Sequence, residues 1–388
     1  MPGPGATLEP EWSLLLTACS EISRQEKTDR IRLQSRQSIR WKLLFELADR
    51  HGVLPFLSPA LAELEGDAVP PAELSRLRQS DRHNLHKALL LSRELIRIVD
   101  HVSELGLEVM PYKGVALAEA IYGDIALRQA GDIDLLIHPQ DLSRVRDAVR
   151  ELGYTPHLAF SAAEEHAYLS SGYEYAFDGA AGPNLLEVQW AIQPRFYSID
   201  FDMPDLFQRA VTITVAGHPM KTPSLEDLFL VLSAHAAKHV WGRLIWLCDI
   251  ARLMSVPTLN WSWIASQAEA FGISRLVSVT ILLANRLLDV AIPAAAQANL
   301  LKDPAVSPLV DEIRLHIAGE SAYDVESPAY FRLIMRLRER PADRLRFLRR
   351  LVFTPGPSEW QAIHLPAPLF PLYRLVRLSR LAARLVRK

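Results

Sequence analysis

Two aspartates one residue apart, Asp132 and Asp134, are where residue type and spacing first suggest chemistry. They open an apolar run that includes Ile133, Leu135 and Ile137. In a strand, positions i and i+2 share a face, so both carboxylates project together while Ile133 turns to the core. Like charges so placed repel unless a cation lies between them, and oxygen-only donors favour a hard ion such as Mg2+. An isolated Asp-x-Asp is more often a solvated strand start, but its neighbours change the reading. Lys113 and Gly114 sit where an extended segment enters a helix, and free backbone N–H groups and the helix dipole favour an anion there. Gly114 admits a phosphate close to the backbone, and Lys113 adds a compact positive charge. Arg128, four residues before Asp132, either bridges phosphate oxygens with its planar fork or pairs with Asp132 or Asp134. Glu187 lies within the apolar run 185–190, on one face with Leu185 and Gln189, and a charge there needs a metal or an arginine.

Other charged and aromatic residues carry weaker signals. His235 and His239 share a helical face and offer two ligands for zinc, or pack beside a cleft and touch an acceptor. Lys238 between them disfavours a metal if it faces the same way. Asp249 and Arg252, following Trp241 and Trp246, either shape a pocket or form a surface ion pair over packed aromatics. Asp200, Asp202 and Asp205 lie in a loop-like stretch and read as solvated. From Tyr373 on, helical projection places Arg374, Arg377, Arg380, Arg384, Arg387 and Lys388 on one arc, and Leu375, Leu378, Ala382, Leu385 and Val386 on the other. Such a basic amphipathic helix packs its leucines on the protein, lies on an anionic membrane surface, or grips RNA or an acidic peptide.

Periodicity supplies the elements that must position these groups. Apolar residues recur at helical spacing over residues 1–106, interrupted at Pro70 and Pro71. Residues 107–223 mix short extended runs, at 107–112, 132–138, 173–177, 184–190 and 211–215, with helical segments at 115–121 and 139–152. Ser224 with Asp227 has the form of a helix N-cap, and helices dominate residues 224–330. Residues 331–388 form a basic carboxy-terminal region with a proline-rich break. The expected class is α+β, a central catalytic unit with a mixed sheet between helical regions.

Composition sets the limits. At 388 residues, 49% hydrophobic and 23% charged, the chain has ample material for a folded core. A net charge of −2 argues against affinity of the whole chain for nucleic acid. Cys19 and Cys248 lack the spacing of a zinc ribbon or redox pair, and neither a signal peptide nor an uninterrupted membrane span is legible, so a cytoplasmic protein is expected.

The stretch 112–154 resembles the polymerase β type of nucleotidyltransferase, and most closely the bacterial "uncharacterised nucleotidyltransferase" family. The resemblance rests on Lys113-Gly114, Arg128, Asp132-Ile133-Asp134 and Leu152-Gly153-Tyr154. It extends through Glu187 and Trp190 and through His235, His239, Trp246 and Asp249, covering most of residues 107–255. Val115 replaces the serine common after the phosphate-loop glycine, and Gln189 stands where relatives often have histidine. The resemblance implies a polymerase β-like core and transfer of a nucleoside monophosphate from an NTP, with ATP the expected donor. Asp132 and Asp134 would hold Mg2+, or Mn2+ in its place, on the triphosphate. Lys113, Gly114 and Arg128 would bind the nucleotide, and Glu187 would complete a second metal site and help deprotonate the acceptor. His235, Lys238, His239 and Asp249 are candidate acceptor or pocket residues. A small molecule, peptide or protein is the favoured acceptor over nucleic acid, and the basic helix is expected to meet an acidic partner or a membrane surface. Two rivals are a non-catalytic scaffold of the same fold and a zinc hydrolase built on His235, His239 and Asp249.

Overall fold

Apolar residues at 133, 135 and 137 give that segment two unlike faces, and the sheet is assembled around it. The computed structural model describes residues 10–62, 64, 69–158, 160–179, 185–319 and 327–386. Five strands form one mixed sheet: β1 (Val109–Pro111), β2 (Asp132–Ile137), β3 (Thr155–Pro156), β4 (Glu174–Asp178) and β5 (Leu185–Gln189). Their order is β1-β2-β5-β4-β3, with β2 and β5 parallel and the other neighbours antiparallel. β6 (Val211–Val215) and β7 (His218–Thr222) make a separate hairpin. The protein is therefore α+β, with a mixed sheet flanked by helices.

One sheet face is oily. Ile133, Leu135, Leu186, Val188, Tyr175 and Phe177 pack against the later turns of the Pro71–Glu104 helix and against the Leu142–Glu151 helix. Burying one such side chain is worth roughly 2 kcal/mol. A one-residue slip of β2 would exchange these residues for Asp132 and Asp134, so the register is strongly specified. The opposite face carries the acids, and Leu136 of that face joins a second core. That core unites the N-terminal helices with the Leu225–Lys238, Leu244–Met254 and Ser274–Leu288 helices. The Gly114–Tyr122 helix gives Val115 and Ala116 to the first core and Leu117 and Ile121 to the second.

Several details depart from the sequence reading. Strand β7 carries polar and proline residues and has no alternation by which to recognise it. Asn184, expected to begin β5, lies outside the described residues. Cys19 and Cys248 are distant in sequence but meet as buried free thiols. Asp200 is paired with Arg350 at 2.7 Å and Asp202 caps the Met203–Gln208 helix, so neither is merely solvated.

In the Tyr373–Val386 helix, the alternative in which the leucines pack on the protein does not hold for Leu375 and Leu378. Arg377 and Arg380 turn inward to Glu359 and to the carbonyls of Leu351 and Ser358, while Leu375 and Leu378 face solvent. Glu359 is buried, and leaving its carboxylate without a cation would cost more than exposing two leucines. Arg387 and Lys388, and the side chains from Ala382 onward, lie outside the described residues.

Candidate active site

The parallel pairing of β2 with β5 sets Asp134 directly beside Glu187, two residues on from the pair Asp132 and Leu185. Alternation then puts Asp132, Asp134, Glu187 and Gln189 on one face, above which the end of the Leu225–Lys238 helix closes a cleft of about 380 Å3. Lys113, Arg128, Asp132, Asp134, Glu187, His235, Lys238 and His239 all line this cleft. The structure thus brings together residues that span 126 positions of sequence, from 113 to 239.

Lys113 donates from Nζ to Asp134 Oδ1 at 2.9 Å. Burial alone would lower the ammonium's pKa, but the Asp134 carboxylate holds it above the ordinary lysine value. Asp134 Oδ2 is buried and has no hydrogen-bond partner among the described residues. Burial, followed by repulsion from Asp134, raises Asp132 above the usual carboxylate range. Burial, with Asp134 and Glu174 adding to it, pushes Glu187 up to about 8. At Asp132 and Glu187, burial and repulsion between the acids thus outweigh the nearby charge of Lys113.

That crowding tests the expected divalent ion. An orphaned buried carboxylate oxygen, two neighbours whose ionised forms are disfavoured and an all-oxygen donor set suit Mg2+ or Mn2+. Among the described residues, no three His, Cys, Asp or Glu side chains already converge as a cage. Lys113 holds Asp134 Oδ1, so Oδ2 is the atom left open for a cation.

Gly114 begins the Gly114–Tyr122 helix with φ +57°, a left-handed conformation that a side chain strains. A Cβ there would also meet the Asp132 carbonyl oxygen at 2.9 Å. The glycine therefore lets the helix start hard against the first aspartate, with its unpaired N–H groups beside the carboxylate face.

Arg128 pairs with an acid other than the Asp132 or Asp134 that the sequence offered it. Its Nε lies 3.1 Å from both oxygens of Asp249, which also accepts from Tyr122 Oη at 3.0 Å. All of Asp249 is buried in this pairing, so it is neither a cleft residue nor part of a surface ion pair. Asp249 instead fixes an arginine whose two terminal nitrogens have no partner among the described residues. Arg252, the other member of the expected surface pair, donates to the Ile121 carbonyl at 2.9 Å.

The rings of His235 and His239 meet at a tilt of 55°, centroids 4.9 Å apart, and both meet Trp246, at 5.3 and 5.2 Å. Burial, then the charge of Lys113, drives His235 well below its ordinary value, and burial with Lys238 takes His239 to about 3. Both rings are therefore neutral near pH 7. With Asp249 committed to Arg128 and with Lys238 in the same cleft, the proposed zinc triad does not assemble. Lys238 donates to Tyr173 Oη at 2.8 Å and lies over that ring.

Sequence reasoning missed the residues that tie the acids together. Gln189 donates from Nε2 to Glu187 at 3.0 Å, with longer contacts of 3.4 Å to Asp134 and Glu174, and its Oε1 accepts from Tyr112 Oη at 2.6 Å. Glu174 faces Gln189 across β4, a pairing that alternation within one strand cannot reveal. Arg243 also lines the cleft, delivered by a turn in which Val240 and Trp241 take φ +52° and +49°. Positive φ at a β-branched and an aromatic residue is strained, by roughly 1–3 kcal/mol each, and gives no signal in the sequence.

A family model described as uncharacterised nucleotidyltransferase matches residues 37–289, well over half of the chain. Among solved structures, the solution structure of the antibiotic-resistance factor ANT(2'')-Ia is 18% identical, covers 46% of this chain and 89% of its own, and has a TM-score of 0.35. A crystal structure of ANT(2'')-Ia with adenylyl-2''-tobramycin is 16% identical over 47% and 97% of the two chains, with a TM-score of 0.33. An antigenic nucleotidyltransferase-like protein from Paracoccidioides brasiliensis is 14% identical over 57% and 98%, also at 0.33. No curated protein matches the chain.

Proposed function

Because the chain belongs to the uncharacterised nucleotidyltransferase family, we propose that it transfers a nucleoside monophosphate from an NTP, with ATP the expected donor, to a hydroxyl of an acceptor. The observation that carries this reading is the β2–β5 register, which sets Asp134 beside Glu187 with Asp132 on the same face and the Gly114 helix start against it. Asp132, Asp134 and Glu187 would hold the divalent cation, which when bound supplies charge neutralisation and polarisation of the reacting phosphoryl group.

The chain's own residues supply alignment. The N–H groups at the Gly114 helix start and the Lys113 ammonium bind phosphate oxygens, and Arg128, braced on Asp249, presents its terminal nitrogens to the same charge. The acceptor oxygen bonds to the α-phosphorus as the bond from that phosphorus to the bridging oxygen breaks, and pyrophosphate leaves. The acceptor's proton passes to Glu187, whose Oε2 is held by Gln189 and whose Oε1 has no partner among the described residues. On the far wall, His235, His239 and Trp246 offer neutral rings, and Lys238 and Arg243 offer cations, to the acceptor. The near-neutral chain favours a small molecule, peptide or protein there over bulk nucleic acid.

The test is to incubate the protein with each labelled NTP, Mg2+ and cell extract beside the Asp132→Ala/Asp134→Ala variant. Label reaching a discrete product with native protein alone supports the reading. Equal labelling by both proteins contradicts it.

A further inference from the structure

The carboxy-terminal region holds a second surface that nucleotidyl transfer does not use. Residues 331–388 contain 14 Lys and Arg against three Asp and Glu, in a chain that carries 43 against 45 overall. The segment is strongly net positive, and the remainder of the chain is net negative. The Pro341–Phe353 and Tyr373–Val386 helices of that segment pack together.

The same helices leave large apolar side chains in solvent. Leu345 is 68% exposed, Leu375 62% and Phe353 49%, and Ile363, Leu369 and Leu372 are exposed as well. Isolated exposed leucines are ordinary, but a cluster of this size on one module marks an interaction site.

Charge and apolar surface meet at a cavity of about 630 Å3. Arg195, Arg349, Arg350 and Arg374 line it, and no acidic side chain does. Arg350 is held by Asp200, and Arg195 donates to the Ser170 carbonyl, which fixes two of the four. Arg349 and Arg374 are exposed and have no partner among the described residues. Arg349 and Phe353 also line the neighbouring apolar groove with Leu345 and Leu348, so cavity and groove are one continuous surface.

We propose that this surface docks on an anionic phospholipid bilayer, with Leu345, Phe353 and Leu375 entering the acyl boundary and the arginine cavity taking a headgroup phosphate. Arginine forks match phosphate oxygens, and aliphatic side chains between them match the lipid interior. Single-stranded RNA would call for exposed stacking aromatics, whereas the exposed apolar groups here are chiefly leucine and isoleucine. Among the described residues no helix is long and apolar enough to cross a membrane, so the contact is peripheral.

The test is co-sedimentation of the full chain with vesicles of phosphatidylcholine, alone or with phosphatidylglycerol, at low and high salt. The protein is expected to pellet with phosphatidylglycerol vesicles only, and less as salt rises. Arg349→Ala/Arg374→Ala should weaken binding by about tenfold or more, and Leu345→Ser/Leu375→Ser by a similar factor. All four side chains face solvent, so thermal melting of both variants should match the native chain. Failure to pellet with phosphatidylglycerol, equal pelleting with neutral vesicles, or full binding by the leucine variant overturns the proposal. Binding of single-stranded RNA by the leucine variant as tightly as by the native chain, with neither protein retained on the vesicles, would assign the surface to nucleic acid instead.

Discussion

The polar face of the sheet and the carboxy-terminal helix both carry charge at regular spacing, and the fold treats them in opposite ways. On the sheet, Asp132, Asp134 and Glu187 are pressed together, Lys113 is bonded to Asp134, and the buried Oδ2 of Asp134 has no partner among the described residues. On the helix, Arg377 and Arg380 turn inward to share the buried Glu359 and two backbone carbonyls, and Leu375 and Leu378 are exposed. The first arrangement retains electrostatic frustration, which natural proteins tolerate where function requires it. The second resolves its charge as a structural contact. Regular spacing of charges says which residues share a face, but not which face the fold will bury.

Removing the brace from the cleft arginine should produce the largest stability change. Asp249→Asn takes from buried Arg128 the carboxylate to which it is bonded, and melting should report a loss of about 3–5 kcal/mol. Transfer should fall with it, because Arg128 loses its bearing. A variant that melts like the native chain would show that Arg128 is not held as described.

The frustration itself predicts a pH effect of opposite sign. The Glu187 pKa is raised to about 8 in the folded, cation-free protein, chiefly by burial and then by Asp134, against an ordinary carboxylate value in the unfolded chain. The fold therefore loses stability as pH rises from the unfolded value toward about 8, because the unfolded chain ionises first. Glu187→Gln should remove that loss. Melting without divalent cations should find the variant more stable by on the order of 2 kcal/mol at pH 8–9, after allowance for partial solvent screening, and little different at pH 4. A destabilised variant at high pH would mean that Glu187 is paired and the crowding is not real.

On the helix the corresponding change is local. Glu359→Gln should cost roughly 1–3 kcal/mol, felt as faster hydrogen exchange in the Tyr373–Val386 helix rather than as loss of the whole fold. Exchange that stays unchanged would show that Arg377 and Arg380 do not hold the helix through Glu359.

How much of this was legible follows from range. Asp132 and Asp134 share a face by the period of a strand, and Gly114 opens a helix by local signals, so both lay open in the sequence. Glu187 stood out because a charge in an apolar run needs a reason. The roles of Gln189 and Glu174 depend on register between strands, and the pairing of Arg128 with Asp249 joins residues 121 positions apart. No pattern local to either residue encodes those contacts. The terminal helix was amphipathic in sequence, but its orientation was set by Glu359, a single acid outside the helix. The strained Val240–Trp241 turn is a tertiary product that propensity opposes.

Calorimetric titration with ATP tests the central claim most directly, using the native chain and the Asp132→Ala/Asp134→Ala variant, each with and without Mg2+. If the crowded carboxylates are a cation and triphosphate site, the native chain binds ATP only with Mg2+ and the variant does not bind it. Binding of equal strength in the variant, or binding by the native chain that is indifferent to Mg2+, would contradict the account.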